Sequence, residues 1–323
     1  MKKTAIISFL LTLTLSAAGQ QTIQADLQKT HAVVGLSSIY MRIAPDYESA
    51  LETQELMGTI VEITGKDRYW REIVSPQPYR AWCTEKGLIE MSSEDIKAYK
   101  TAPKCIFARL YGHLYEEPSC KSQTICDLVG GDILRYAGEP SGDSRKGMRI
   151  RKEKGWTEVL LPSGKAGWVR SDSIRPHTGF RSIAKGEGNS ESISDSQMEE
   201  IIATAFTLKG VPYLWGGMTP KGVDCSGLVR WSYLMNGILL PRNASQMIHC
   251  GDPVNLDSLR RGDLVFFGTP ATDTKPQRVT HVGIYIGNGH IIHSSHLVRV
   301  NSLIPGEDDY YENAHKLIAA RRL

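Results

Sequence analysis

The alternation of apolar and polar positions divides the chain into a strand-rich part and a later part that contains helices. Over residues 31–176, short runs rich in Val, Ile, Trp and Tyr are broken by Gly and Pro at close intervals. This pattern is typical of the strands and tight turns of small barrels. The run at 69–74 has a counterpart at 155–159, and two diverged copies of one module are the simplest explanation. We therefore predict two small all-β barrels, at residues 31–100 and 101–178.

The pattern changes after the second repeat. Residues 179–194 are rich in Gly, Ser, Glu and Asn and poor in apolar residues, as is usual for a linker. Apolar residues then recur at helical spacing, which predicts a helix over 196–208 capped by Ser194 or Asp195. This helix opens a third predicted domain at residues 195–323.

The third domain contains a helix and a hairpin that carry chemically interesting side chains. We predict a helix that begins at Cys225 and ends near Gly237, followed by a buried strand over 264–267. A strand at 281–286 then turns back and pairs with the strand at 290–295, which forms an antiparallel hairpin.

The register of this hairpin decides whether its two histidines meet. Because side chains alternate between the faces of a strand, a two-residue turn would place His281 and His293 on opposite faces. A three-residue turn places them on the same face. We predict the three-residue turn, at Gly287–Gly289, with both imidazoles facing a cleft.

The start of the chain predicts export. Lys2 and Lys3 precede an apolar run over 5–15 and a small-residue stretch at 16–18, which is the organisation of a secretory signal peptide. We predict that residues 1–18 are this signal and that the mature protein is located in the periplasm, in the cell wall or outside the cell.

Charge and composition exclude several classes of function. Loss of two lysines with the signal lowers the formal net charge from +3 to +1, which provides no electrostatic basis for binding nucleic acid or an anionic membrane surface. No second apolar run is long enough to span a bilayer. The sequence leaves the oligomeric state open and is compatible with a monomer.

The six cysteines belong to a chain predicted to enter an oxidising compartment, where disulfides form. Cys105, Cys120 and Cys126 lie close together in the sequence, so we expect one bridge among them, although sequence does not assign the pairing. The chain has no CxxC pair, and its histidines do not fall at the spacings of zinc ligands. We expect neither a metal nor an organic cofactor.

Cys225 is the candidate nucleophile. A thiol in the first turn of a helix lies beside unpaired backbone N–H groups and the positive end of the helix dipole, which favour the thiolate. His281 is the candidate base, His293 would orient it, and the backbone N–H of Cys225 is a candidate oxyanion donor. The competing interpretation is that Cys225 is a small buried core residue.

The third domain resembles the NlpC-type cell-wall cysteine peptidases, which have a papain-like α+β fold. Five motifs carry the resemblance, in the family's order: Tyr213–Gly217, Asp224–Gly227, Gly262–Phe267, His281–Ile286 and Ile292–Ser294. The resemblance implies that Cys225, His281 and His293 form a catalytic triad.

The two β-rich units resemble bacterial SH3-like domains. Gly167–Val169 is the most specific part of this resemblance, and the first copy departs from it with Ala81–Cys83 in the matching place. The expected fold is multidomain, with two small all-β SH3-like barrels followed by an α+β papain-like cysteine peptidase domain.

This combination is most similar to the γ-D-glutamyl-L-diamino acid endopeptidases, or dipeptidyl-peptidases VI, which cut between D-Glu and diaminopimelate or Lys. The resemblance implies that the substrates are peptidoglycan stem peptides with a free N-terminal L-Ala. It also implies substrate-binding roles for six residues, namely Tyr79, Tyr213, Trp215, Asp224, Ser226 and Ser245. An acidic residue of the first domain is expected too, with Glu48 and Glu52 as candidates, and Asn243 stands where Asp is expected.

The implied pocket has a physical rationale and a plainer alternative. If Asp224 faces the substrate ammonium, N-acylated peptides would leave its buried charge unpaired and would bind poorly. In the plainer interpretation, Asp224 only caps the helix, Trp215 belongs to the core and Tyr79 is an ordinary barrel residue.

Two other functions are compatible with the sequence. An endopeptidase that cuts intact peptidoglycan, anchored by SH3-like units, would have an open cleft that accepts N-acylated stems. A non-catalytic wall-binding protein would keep its function when Cys225 is replaced by Ala.

Overall fold

The computed structural model describes residues 30–140, 148–183 and 192–323. The predicted signal peptide at 1–18 and part of the predicted linker at 179–194 lie outside these ranges. Within the described ranges, no helix is both long enough and apolar enough to cross a membrane.

The first β-rich unit is an antiparallel sheet of seven strands in the order β3-β2-β6-β5-β4-β1-β7. The strands are β1 (His31–Val34), β2 (Ser38–Arg42), β3 (Leu51–Leu56), β4 (Ile60–Asp67), β5 (Trp70–Ser75), β6 (Tyr79–Thr84) and β7 (Leu88–Met91). A 3-10 turn at Glu85–Gly87 precedes β7. Buried apolar side chains such as Met41, Val61 and Ile73 form the core of this unit.

Helix α1 (Ser93–Thr101) joins the two β-rich units. The Ser92 hydroxyl accepts a hydrogen bond from the Asp95 N–H at 3.1 Å, and the Asp95 carboxylate accepts one from the Ser92 N–H at 3.3 Å. This reciprocal capping fixes the start of the helix. Ile96 and Tyr99 pack against Val33, so α1 closes one end of the first core.

The second β-rich unit repeats the strand order of the first. Its main path is β10-β9-β16-β15-β11-β8-β17, with β14 paired to β15 and with β12 and β13 in a separate ladder. The strands are β8 (Lys104–Phe107), β9 (Tyr111–Tyr115), β10 (Thr124–Val129), β11 (Ile133–Tyr136), β12 (Gly138–Pro140), β13 (Met148–Ile150), β14 (Lys152–Glu153), β15 (Trp156–Leu160), β16 (Ala166–Arg170) and β17 (Ile174–His177). The shared order supports an internal duplication. Neither sheet closes on itself among the described residues, so the SH3-like barrel stays a prediction.

The expected disulfide near β8 is not formed. All six cysteines are free, and the placement of Cys105 and Cys120 shows why these two do not pair. Cys105 lies on β8 and points into the fully buried core of the second unit, whereas Cys120 lies in an exposed turn.

The C-terminal unit, residues 192–323, packs helices against a six-stranded antiparallel sheet in the order β22-β27-β23-β24-β25-β26. Its helices are α2 (Asp195–Thr207), α3 (Cys225–Leu234) and α4 (Ala244–Met247), with 3-10 turns at Leu256–Ser258 and Ala314–Lys316. The sheet strands are β22 (Asp252–Val254), β23 (Leu264–Thr269), β24 (Arg278–Gly287), β25 (His290–Ser295), β26 (Leu297–Ser302) and β27 (Leu317–Arg322). The short strands are β18 (Arg181–Ser182), β19 (Met218–Thr219), β20 (Gly222–Val223) and β21 (Ile238–Leu239).

The predicted helix over 196–208 corresponds to α2, whose N-cap is Ser194. Its buried residues share one core with α3 and with the inner face of the sheet. Ile202 of α2, Leu228 of α3 and Ile284 of β24 all belong to this core. The structure is therefore an α+β unit in which α3 lies against β24 and β25.

The hairpin between β24 and β25 turns differently from the prediction. Gly287 pairs directly with His290, so the turn has two residues, Asn288 and Gly289, both with positive φ. Asn-Gly favours this turn because its backbone twist matches that of the strands. A bulge between Tyr285 and Gly287 shifts the register by one residue. The predicted turn length is wrong, but the bulge still places both histidines on one face.

Strand β3 of the first unit forms the contact with the C-terminal unit. The Thr53 hydroxyl accepts a hydrogen bond from Arg242 Nε at 2.6 Å, and the Gln54 side chain accepts one from the Met218 N–H at 2.8 Å. From the second unit, the Gly130 carbonyl accepts a hydrogen bond from the Trp231 indole at 2.8 Å. These buried contacts fix both β-rich units against α3 and its surroundings.

Candidate active site

The candidate nucleophile lies at the start of α3. Cys225 is its first residue, and the side chain of the N-cap residue Asp224 accepts a hydrogen bond from the Gly227 N–H at 2.6 Å. A Cβ at position 227 would lie 2.0 Å from the carbonyl oxygen of Gly217. Only glycine therefore allows the preceding loop to pack directly on the helix start that presents the thiol.

Asp224 is also one half of a buried ion pair. Arg242 donates to its two carboxylate oxygens at 2.5 and 3.1 Å and to Ser226 Oγ at 2.8 Å. The Gly216 N–H adds a hydrogen bond of 3.0 Å. Since Arg242 and Asp224 are only 1% and 7% exposed, the charge of Asp224 is compensated within the protein.

Two imidazoles lie behind the thiol on neighbouring strands. His281 Nε2 is 2.7 Å from His293 Nδ1, and His293 Nε2 is 2.9 Å from Asn301 Oδ1 on β26. The ring of Tyr311 packs against both histidines, with centroid distances of 5.7 and 4.6 Å. His281 is therefore fixed in place by its hydrogen bond with His293 and by packing against the ring of Tyr311.

The thiol meets β24 beside His281. The backbone N–H groups of Val282 and Ser226 are directed at the sulfur of Cys225 and favour the thiolate. Burial acts against them, and together with the nearby Asp224 carboxylate it raises the pKa of Cys225 to about 12. The thiol therefore stays protonated until a base removes its proton.

Both imidazoles are held neutral as well. Burial, together with the smaller effects of the neighbouring His293 and Arg299, lowers the pKa of His281 to about 3. Burial also lowers the pKa of His293 to about 4, against the opposing effect of its hydrogen bond with Asn301. The site rests as a neutral thiol and a neutral imidazole, whereas the helix start alone favoured a thiolate.

A cleft of about 240 Å³ lies in front of the thiol. The six residues predicted to bind substrate all line it, together with Cys225: Tyr79, Tyr213, Trp215, Asp224, Ser226 and Ser245. Glu52 lines it too and accepts a hydrogen bond from the Tyr79 hydroxyl. A larger cavity of about 480 Å³ lies between the three units, but none of the three predicted triad residues lines it.

The C-terminal unit also matches a known family. The family model described as the NlpC/P60 family matches residues 210–316, a range that includes the cysteine and both histidines. The chain carries an NlpC/P60 domain.

Similarity extends beyond the NlpC/P60 domain. A gamma-D-glutamyl-L-lysine dipeptidyl-peptidase of Bacillus cereus is 29% identical over 79% of this chain and 70% of its own length. Dipeptidyl-peptidase 6 of Lysinibacillus sphaericus is 27% identical over 80% of this chain and 86% of its own. A crystal structure of an NlpC/P60 family protein from Bacillus cereus, 22% identical, covers 90% of this chain and 99% of its own with a TM-score of 0.69. The fold of that structure therefore extends over the β-rich units as well.

For several cleft residues of the NlpC/P60 domain and of the first β-rich unit, the structure distinguishes a position in the cleft from a purely structural one. Trp215 is 65% exposed, so the core interpretation is wrong. Asp224 both caps α3 and lines the cleft. Of the two acidic candidates, Glu52 lines the cleft at the start of β3, while Glu48 lies in the exposed turn before it.

Sequence reasoning missed three residues that support the site. Arg242 lies directly after an apolar stretch that ends in Pro241, and a charge there is a signal of buried pairing. Asn301 and Tyr311 follow the hairpin, and their contacts with His293 depend on how the chain returns after β26. No local pattern in the sequence indicates those contacts.

Outside the cleft, one group of side chains has the composition of a cation site. His290, Glu307 and Asp309 each place a potential ligand atom within 4.8 Å of the others. The two carboxylates are exposed, and a thiol nucleophile requires no metal for its chemistry.

Proposed function

We propose that this protein is a cysteine peptidase that hydrolyses the γ-D-glutamyl-L-diamino acid bond of peptidoglycan stem peptides with a free N-terminal L-Ala. One observation carries the proposal: Glu52 and Tyr79 of the first unit line the same cleft as Cys225. The similarity to two dipeptidyl-peptidases over most of the chain supports the same class of bond.

The chemistry begins with transfer of the Cys225 proton to neutral His281. The sulfur attacks the γ-carbonyl carbon of D-Glu, and the backbone N–H of Cys225 stabilises the oxyanion that forms. His281 then gives its proton to the amine of the diamino acid as the C–N bond breaks, which leaves a thioester. A water molecule, deprotonated by His281, attacks the thioester, and the thiol is regenerated as the dipeptide leaves.

Selection of a free N-terminus follows from the charges in the cleft. Because Arg242 compensates Asp224, the carboxylate that would meet the substrate ammonium is Glu52, which has no ion-pair partner among the described residues. The expectation that Asp224 carries this charge is therefore revised in favour of Glu52. An N-acylated peptide has no ammonium to offer and would leave Glu52 desolvated and unpaired.

The aromatic residues of the cleft would hold the peptide in place. Burial raises the pKa of the Tyr213 hydroxyl, with Cys225 and Asp224 adding to the effect, so this hydroxyl stays a neutral donor beside the nucleophile. Trp215 offers an exposed ring at the cleft to the body of the peptide. Ser245 would donate a hydrogen bond to its carboxylate or carbonyl groups. The Ser226 hydroxyl, which donates to Asp224 at 3.1 Å, would shape the pocket beside it.

The two β-rich units enter the proposal as SH3-like domains. The first forms one wall of the cleft, and the second supports the helix that follows the nucleophile, through Gly130 and Trp231. Export, which the pattern of residues 1–18 supports, would place the enzyme where wall peptides are released.

An endopeptidase that cuts intact peptidoglycan is the second candidate. It requires a cleft that accepts N-acylated stems, and the position of Glu52 and Tyr79 argues against this. A purely wall-binding role leaves the pairing of His281 with His293 beside Cys225 without a purpose.

The decisive experiment uses the purified mature protein and two peptides, L-Ala-γ-D-Glu-diaminopimelate and its N-acetylated form. Release of diaminopimelate is followed by mass spectrometry, with Cys225→Ala as the control. We expect cleavage of the free peptide and little or none of the acetylated one. Equal cleavage of both would favour the endopeptidase, and cleavage of neither would refute the proposed substrate.

A further inference from the structure

We propose that Asn301 is a positioning residue that fixes the tautomers of His293 and His281, with the backbone carbonyl of Asp309 as its anchor. The inference rests on the proposed peptidase function for its kinetic consequence only. Its structural content concerns the resting protein and is tested without substrate.

The orientation of the Asn301 amide follows from its two partners. Its nitrogen Nδ2 donates to the Asp309 carbonyl at 2.6 Å, and a carbonyl oxygen can only accept hydrogen bonds. A flipped amide would set two acceptors against each other, with Asn301 only 7% exposed. The amide oxygen Oδ1 is therefore the atom that faces His293.

The tautomer of His293 follows from the amide. Its Nε2 lies 2.9 Å from Oδ1 of Asn301 in a buried contact, and since Oδ1 only accepts, Nε2 must carry a hydrogen. His293 has no exposed surface and is neutral, so its other nitrogen, Nδ1, has a lone pair.

The tautomer of His281 follows in turn. Its Nε2 lies 2.7 Å from Nδ1 of His293, so Nε2 must donate. In a neutral imidazole this leaves Nδ1 as the nitrogen with the lone pair, and therefore as the atom of His281 that can accept the Cys225 proton. The direction of every hydrogen bond in the series is set by one backbone carbonyl, that of Asp309.

Loss of the anchor would reverse this order. Without an acceptor at Asn301, a hydrogen on Nε2 of His293 is buried and unpaired, which favours its transfer to Nδ1. His293 would then donate to Nε2 of His281, and the hydrogen of His281 would move to Nδ1. The base would then face Cys225 with a hydrogen where a lone pair is needed.

The direct test is ¹⁵N NMR of the resting protein with labelled histidine rings, because a protonated ring nitrogen and a lone-pair nitrogen have distinct shifts. Signals are assigned by comparison with His281→Gln and His293→Gln. We expect hydrogens on Nε2 of both histidines near pH 7. A hydrogen on Nδ1 of His281 in the unmodified protein would overturn the proposal, whatever its activity.

The kinetic test uses Asn301→Leu, which keeps the approximate shape of the side chain. We expect kcat to fall by about 10- to 100-fold with KM within about twofold, because wrong tautomers stop proton transfer and leave the cleft unchanged. The ¹⁵N signals of His281 should shift toward the Nδ1-protonated form in the same variant.

The matched control is Asn236→Leu. Asn236 also uses its side-chain nitrogen to hold a backbone carbonyl, that of Ser232 at 2.8 Å, but lies at the opposite end of α3. A purely structural role for Asn301 predicts equal losses of stability and activity in both variants. Unchanged kcat in Asn301→Leu, with a folded protein, would also refute the proposal.

Discussion

The electrostatic roles in the cleft are divided among three residues. Asp224 is neutralised by Arg242 and shapes the start of α3, whereas in the proposed function Glu52 is the carboxylate that meets the substrate charge. The Tyr79 hydroxyl, which hydrogen-bonds to Glu52, keeps that carboxylate directed into the cleft. The two acidic residues of the cleft thus differ in role because only one has a buried cation beside it.

Replacement of Glu52 tests this division. In Glu52→Gln we expect kcat/KM for the free peptide to fall by about 10- to 100-fold, which corresponds to about 1.4 to 2.8 kcal/mol. The small activity on the N-acetylated peptide should stay unchanged or rise, because the amide no longer requires a positive partner. Competition between the two peptides in one reaction measures the ratio directly, with Glu48→Gln as a matched control outside the cleft.

The lowered pKa values of His281 and His293 predict acid sensitivity. Their pKa values lie at about 3 and 4 in the folded protein, below the ordinary value of about 6.5 that applies to the unfolded chain. As the pH falls below about 6.5, the unfolded state binds protons that the folded state does not bind. The free energy of unfolding therefore decreases as the pH falls. Between pH 7 and pH 5 we expect a loss of about 1 to 2 kcal/mol for each imidazole.

Urea unfolding at both pH values measures this loss. His293→Asn should reduce the pH dependence, whereas the exposed His315→Asn should leave it as in the unmodified protein. An unfolding free energy that is the same at pH 5 and pH 7 would contradict the lowered pKa values of these two imidazoles.

At the scale of single elements, the β24–β25 hairpin combines a two-residue turn with a bulge. The turn follows local preference, because Asn288 and Gly289 both adopt positive φ, and the bulge then adjusts the register so that His281 and His293 share a face. Asn288 and Gly289 therefore determine the turn, whereas the bulge between Tyr285 and Gly287 determines where the two histidines lie.

Two glycine variants separate backbone strain from packing: Gly289 lies in this hairpin, and Gly155 lies in the turn between β14 and β15. Gly289 and Gly155 both have positive φ, but a Cβ at Gly289 would lie 2.5 Å from Ile304 whereas one at Gly155 would meet nothing within 4 Å. We expect Gly155→Ala to cost about 1 kcal/mol of stability and Gly289→Ala clearly more, with reduced activity in the second only. Denaturant unfolding of both variants checks this, and equal costs would mean that Ile304 moves aside.

The elements that sequence predicted well are those with local signals. The helix before residue 208, the pairing of the two hairpin strands and the two-copy repeat follow from periodicity and turn residues. Short motifs also singled out Cys225, His281 and His293, whose catalytic roles stay a prediction. The contact between Arg242 and Thr53 spans 189 positions, and the disulfide expected near Cys105 failed because its side chain turns into a core. Long-range packing of this kind leaves no local pattern, so sequence could not predict it.

At the scale of the whole molecule, β3 links the first unit to the NlpC/P60 domain. Successive residues of this strand serve different purposes: Glu52 lines the cleft, Thr53 and Gln54 accept hydrogen bonds from the domain, and Glu55 lies 3.5 Å from Arg230. Arg230 is 1% exposed, and its guanidinium depends on Glu55 for compensation of its charge.

This dependence can be measured with a double-mutant cycle. Glu55→Gln leaves Arg230 as a buried cation without a partner, which we expect to cost about 3 to 5 kcal/mol. Arg230→Met combined with Glu55→Gln should recover most of the loss, because both charges are then removed. Thermal unfolding of Glu55→Gln, Arg230→Met, the double variant and the parent tests the coupling. Simple additivity of the two single changes would show that the pair is not coupled.

The same strand bears on how such a protein can be inherited. A gene fusion or exchange that replaced the first β-rich unit would remove Glu52 from the wall of the cleft and would also leave Arg230, a buried arginine of its neighbour, without its ion-pair partner Glu55. Proteins that result from such an exchange would lose both solubility and selectivity for peptides with a free N-terminus. The first β-rich unit and the NlpC/P60 domain should therefore be inherited together. Substitutions in one of them should be accompanied by compensating substitutions in the other, across their interface.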